Sequence, residues 1–146
     1  MIVDSAASLV ITSATLTVEQ ITQSLGITPT TSRNIGDPHG APRPDASGVV
    51  VQRTARETFW RLDSGAGLAS DSFSSMVALA ELLRGKRDHL ASLRPLCTTV
   101  IVWGGFSDSE QGGFVFPAAL LADLAALGCD LFGTAYLSEV NPNGVP

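Results

Sequence analysis

Basic side chains are missing from both ends of this 146-residue chain. The first is Arg33 and the last is Arg94, with all nine between them. The formal charge of −5 therefore divides unevenly: −2 over residues 1–32, +2 in the middle, −5 over residues 96–146. Acidic ends argue against nucleic acid as a partner for the domain as a whole and leave room only for a local basic patch in the middle third. Long apolar runs are missing too. No stretch of about 18 such residues occurs, so no membrane partner is expected. Met1-Ile2-Val3-Asp4-Ser5 lacks the basic region of a secretory signal, which makes a cytoplasmic location the expectation.

Cysteine and histidine are scarce, at two each. Neither His39 nor His89 has ligand spacing to Cys97 or Cys129, so a zinc site is not expected. Buried free thiols are the expected state of both cysteines, with a disulfide between neighbouring strands as the alternative. The signatures of common chemistries are also missing. There is no Gly-x-Ser-x-Gly elbow. Gly104-Gly105-Phe106 lacks the Lys-Ser/Thr of a nucleotide-binding loop and runs into Asp108 and Glu110. Asp108-Ser109-Glu110 is too short and too poor in oxygen ligands for calcium. No catalytic set and no cofactor are expected.

What is present is a small pattern written twice. Thr17 and Gln20 form a capping box at the start of a helix whose face is Val18, Ile21 and Leu25, and Leu16 and Ile21 stand as a hydrophobic staple. Gly26 suits the left-handed residue after the last turn, and Pro29 forbids continuation. Pro117 suits the first position of a second helix, with Leu120, Leu121, Leu124 and Leu127 on its buried face and Gly128 closing it. Strand-like segments flank each one. Residues 8–13 and 30–35 flank the first; residues 114–116 and 129–137 flank the second.

Between them, residues 36–48 hold three prolines and three glycines among thirteen positions and read as a mobile loop. Residues 49–54 form a weaker strand and residues 57–62 a better one, with Thr58, Trp60 and Leu62 on one face. A long helical pattern runs over residues 71–93, and Gly85 is expected to break or kink it. Its basic end, Arg84, Lys86, Arg87 and Arg94, is accounted for by the negative end of the helix dipole. Residues 97–103 carry no charge and read as a strand buried on both faces. A tail from residue 139 should fray.

The order is β-α-β-β-α-β-β-α-β. It predicts a single α+β domain over residues 1–146, with its core at about 8–137. The expected sheet is mixed and largely antiparallel, with about three helices on one face and β-α-β units in pseudo-repeat. Ile11, Ile21, Leu25, Trp60, Leu83, Val100, Val102, Leu124 and Phe132 are the predicted core, where aliphatic truncations cost about 2–5 kcal/mol.

The spaced pattern Leu25-Gly26-x-x-Pro29, Gly36-Asp37, Trp60, a Leu-rich helical stretch, and Leu127-Gly128-x-x-Leu131 up to Tyr136 resembles one bacterial family. It is known only as the domain-of-unknown-function 4279 family. The resemblance covers roughly residues 8–137 and implies no activity. The Arg- and Pro-rich stretch between Asp37 and Trp60 is longer than the family's pattern.

Asp37 and His39, in Gly36-Asp37-Pro38-His39-Gly40, stand close enough to share a proton or a ligand, and Trp60 is the candidate wall of a pocket beside them. The competing reading is a plain turn, since Asp before Pro initiates one, and core packing for Trp60. With no convergent catalytic set, the leading expectation is a non-catalytic binding module with a protein partner. Its concrete form is a small acidic inhibitor or immunity-type protein covering a basic active site. The alternatives are a small-ligand binder or enzyme using Asp37, His39 and Trp60, and a structural subunit or homodimer.

Overall fold

The computed structural model describes residues 1–65 and 67–138. The fraying expected from residue 139 lies outside them. The elements are β1 (Ile2–Ser13), α1 (Val18–Leu25), β2 (Thr31–Arg33), β3 (Arg43–Pro44), β4 (Val50–Val51), β5 (Thr58–Asp63), α2 (Ser74–Leu82), α3 (Arg87–Leu93), β6 (Thr98–Ser107), α4 (Ala118–Leu127) and β7 (Asp130–Tyr136). The fold is α+β. A five-stranded mixed sheet runs β2-β5-β1-β6-β7, and β3 and β4 pair apart from it.

β1 is antiparallel to both β5 and β6, with Ile11 opposite Trp60 on one side and Thr99 on the other. β2 is antiparallel to β5, and β6 and β7 are parallel. Two β-α-β units are therefore interleaved. The unit β1-α1-β2 straddles β5, and the unit from β5 through α2 and α3 to β6 straddles β1. These are two split β-α-β units woven together, to which α4 and β7 add a third crossover on the β6 side.

Local chemistry accounts for the helix ends. The Gln20 N–H donates to Thr17 Oγ1 (3.2 Å), and the Thr17 N–H donates back to Gln20 Oε1 (2.8 Å), closing the capping box of α1. Gly26 adopts φ +66° and its N–H reaches the Thr22 carbonyl. Gly85, at φ +75°, separates α2 from α3, so the long helical pattern is two helices and there are four among the described residues. Asp71 opens α2: its carboxylate accepts the N–H groups of Phe73 (2.9 Å) and Ser74 (2.6 Å). Pro117 stands one place before the expected position, with extended ψ, and α4 starts at Ala118.

The break at Gly85 also corrects the reading of the basic cluster. Lys86 and Arg87 begin α3 rather than end a helix. Arg84 pairs with Glu81. Arg94 reaches across to donate to the Leu127 carbonyl (2.6 Å), one of the free acceptors at the end of α4.

The helices cover one face of the sheet. Leu9, Ile11, Trp60, Leu62, Ile101 and Trp103 point to that side and join Ile21, Leu25, Met76, Leu79, Leu83, Leu90 and Leu124 in one core. Both indoles satisfy their N–H groups inside it. Trp60 Nε1 donates to Thr22 Oγ1 (3.1 Å) and Trp103 Nε1 to the Ser72 carbonyl (2.9 Å).

Three core assignments are corrected. Val100 and Val102 are half-buried, and Phe132 is 59% exposed. The strand read as buried on both faces is buried on one, with Thr99, Ile101 and Trp103 inward and Val100 and Val102 outward. Phe132 lies opposite Val102 in the parallel pair and so shares its outward direction. Residues 114–116 form no strand, because the edge of β6 is taken by β7. They run instead over Trp103, with Phe114 and Phe116 rings 5.0 and 5.2 Å from its ring.

Candidate functional site

The stretch between β2 and β5 leaves the sheet and returns to it. At its base the two legs are hydrogen-bonded: Gly36 N–H to the Ala55 carbonyl (2.9 Å), Ala55 N–H to the Asp37 carbonyl (2.8 Å), and His39 N–H to the Arg53 carbonyl (2.8 Å). Farther out, β3 and β4 pair across a turn in which Asp45 Oδ1 accepts the N–H groups of Ser47 (2.8 Å) and Val49 (3.1 Å). The Ser47 hydroxyl and those N–H groups hold the Asp45 carboxyl below its ordinary range. The segment expected as a loop over 36–48 is thus paired with residues 49–55.

Asp37, His39 and Trp60 are not brought together. The Asp37 carboxylate accepts the Asn34 N–H (2.8 Å), and Asn34 Oδ1 accepts the Val18 N–H (2.8 Å), so Asp37 ties the return of β2 to the start of α1. Trp60 is 0% exposed and faces the helices. His39 alone lines a cavity, of about 480 Å³, between the end of β2 and the base of the excursion. The charged residues on the other walls of that cavity are Arg33, Arg53, Arg56 and Glu57. Arg33 is held by its neighbour on β5, its guanidinium carbon 5.3 Å from the centre of the Phe59 ring. Its Nε is buried and meets no hydrogen-bond partner among the described residues.

Sequence reasoning missed the three arginines. The signal was there in outline, as the concentration of base in the middle third. Only the pairing of residues 36–39 with 53–55 shows which arginines share one hollow.

A second feature lies on the sheet face that the helices leave open. Phe106, Phe132 and Tyr136 are 40%, 59% and 54% exposed there. Phe106 and Tyr136, opposite each other in the β6–β7 pair, stack with ring centres 5.1 Å apart and planes at 14°. Val10, Val100 and Val102 extend the patch toward the centre of the sheet.

Titratable groups elsewhere have structural explanations. Glu19 is held low by the backbone N–H at its own position and by Thr17 and Asn34 beside it. Asp71 is held low by the Ser74 hydroxyl and by the backbone N–H groups of Ser74 and Phe73. Cys97 and Cys129 are free thiols, pushed up by burial. Among the described residues, no three His, Cys, Asp or Glu side chains gather to hold a metal ion, and no helix is long and apolar enough to cross a membrane.

The fold and these two surfaces define a class: a helix-backed sheet with one bare face and an arm that borders an open basic hollow. Residues 3–137 match the model of the domain of unknown function DUF4279, and the chain belongs to that family. No curated protein and no solved structure matches it.

Proposed function

We propose that this protein is a non-catalytic binding module that takes a protein partner onto the open face of its sheet, in a bacterial cytoplasm. The exposed aromatic cluster of Phe106, Phe132 and Tyr136, flanked by half-buried valines, carries this reading. An apolar patch of this kind on a rigid sheet marks an interaction surface. Aromatic side chains serve as its anchors, because they bury a large area with few rotors to freeze. The charge of −5 favours a basic partner, which it would attract at long range. The concrete form is an inhibitor or immunity-type protein that covers a basic site.

The test is association with the products of neighbouring genes, with Phe132→Asp as the variant. The partner should bind the wild type with an on-rate that falls steeply as salt rises. Phe132→Asp should lose that binding without moving the melting temperature. Binding that is indifferent to both salt and Phe132→Asp rules the face out. Sedimentation at two concentrations separates the homodimer alternative, in which Phe132→Asp dissociates a wild-type dimer.

A further inference from the structure

From the walls of the arm's hollow, we infer that this chain carries a second binding site, for a small molecule bearing a phosphate or pyrophosphate group, held by Arg33, Arg53 and Arg56. The site lies at the β2–β5 end of the sheet, whereas the aromatic cluster of Phe106, Phe132 and Tyr136 is on β6 and β7 at the other end. A cavity of about 480 Å³ falls within the range of roughly 300–1,000 Å³ usual for small-molecule sites.

The charge on its walls is one-sided. Arg33, Arg53, Arg56 and His39 face it, against the single carboxylate of Glu57. The ion pairs among the described residues are Met1 with Asp108, Arg61 with Asp63, and Arg84 with Glu81. None of the three arginines of the hollow is in an ion pair among the described residues, and Glu57 is the one carboxylate on its walls, in a chain where acids outnumber bases fourteen to nine. Such a cluster repels itself, and an anion seated among the guanidinium groups relieves the repulsion.

Arg33 adds a more specific observation. Its Nε is buried and has no hydrogen-bond partner among the described residues. A buried donor left unpaired is costly, and a ligand oxygen that reached it as the Arg33 side chain adjusts would remove that cost. The ring of Phe59 restrains the guanidinium beforehand, and the hydrogen bonds of His39 to Arg53 and of Ala55 to Asp37 fix the wall opposite. The site is thus largely organised before any ligand arrives.

The ligand class follows from the donors. An Arg fork presents parallel N–H groups that match the oxygens of a phosphate or carboxylate in pairs. Three forks around one hollow suit a multiply charged group with several oxygens more than a lone carboxylate. The phosphates of a nucleic-acid strand share this chemistry. The acidic stretches on either side of the basic third, −2 and −5, oppose a long polyanion and favour a compact ligand.

Calorimetric titration of the full chain tests this, with pyrophosphate, inorganic phosphate and a single-stranded oligonucleotide without terminal phosphates as probes. Pyrophosphate should bind one to one and more tightly than phosphate, and the oligonucleotide should bind weakly or not at all. Arg53→Gln with Arg56→Gln, both exposed and so harmless to folding, should weaken pyrophosphate at least about tenfold with an unchanged melting temperature. Arg33→Lys, which keeps the charge and loses the fork, should weaken it as well. Phe132→Asp should leave it unaltered, so failure of the open-face reading and failure of this one are distinguishable. The inference is overturned by absence of pyrophosphate binding up to about 10 mM, by binding that the paired glutamine variant leaves intact, or by an oligonucleotide that outcompetes pyrophosphate.

Discussion

At the scale of single residues, two glycines with the same backbone conformation are predicted to differ. Gly26 and Gly128 both close helices, at φ +66° and +69°. A methyl group at Gly26 would meet only the end of the Lys86 side chain, at 3.6 Å, whereas at Gly128 it would run into the Arg94 guanidinium. That guanidinium is already committed to the Leu127 carbonyl. Gly26→Ala should cost the left-handed penalty alone, roughly 1–2 kcal/mol. Gly128→Ala should cost more, because Arg94 must also give up its carbonyl, and urea denaturation of the two variants would show the difference.

Asp71 offers a second residue-scale prediction. Its carboxyl is held below its ordinary range in the folded protein, so the stabilisation it gives is complete above the ordinary carboxylate pKa. It fades as pH falls through the lower, folded value. Asp71→Ala should lower stability by about 1 kcal/mol near neutral pH. The wild-type and variant melting curves should converge as the solution is acidified toward pH 2.

At the scale of elements, what could be read in advance was whatever neighbouring residues decide. The capping box of Thr17 and Gln20 places α1, and Gly85 breaks the long helical pattern, because both act within a few residues of themselves. The phase of β6 was different. Val100, Ile101, Val102 and Trp103 are all apolar, so no polar residue marks which side faces water. The answer comes from β1 and the helices, far away in sequence, and it turned Val100 and Val102 outward.

Phe114 and Phe116 were misread for the same reason. Their alternation suits a strand, but the sheet edge they would need belongs to β7. As an aromatic cover on Trp103, they make a measurable prediction. Phe114→Ala with Phe116→Ala should shift the tryptophan emission to the red and raise its acrylamide quenching, with the far-ultraviolet circular dichroism retained.

At the scale of the whole molecule, the α+β class was legible and the candidate site only in part. Composition placed the basic residues in one third of the chain, and His39 does line the hollow there. Asp37 went to a turn and Trp60 to the core, the competing readings that Asp before Pro and the strand pattern offered; only the bond from the Trp60 indole to Thr22 lies beyond local spacing. The weave of the two split units is likewise a property of long-range pairing. It bears on how the protein comes into being. β1 is made well before β6, yet its register with β6, Ile11 beside Thr99, can be set only after β6 has been made. A strand holding Leu9 and Ile11 meets its first neighbour, β5, about fifty positions later and its second, β6, only about ninety positions later. Newly made chains should therefore depend on chaperones until β6 is available, and refolding of the finished protein should be slow for its size.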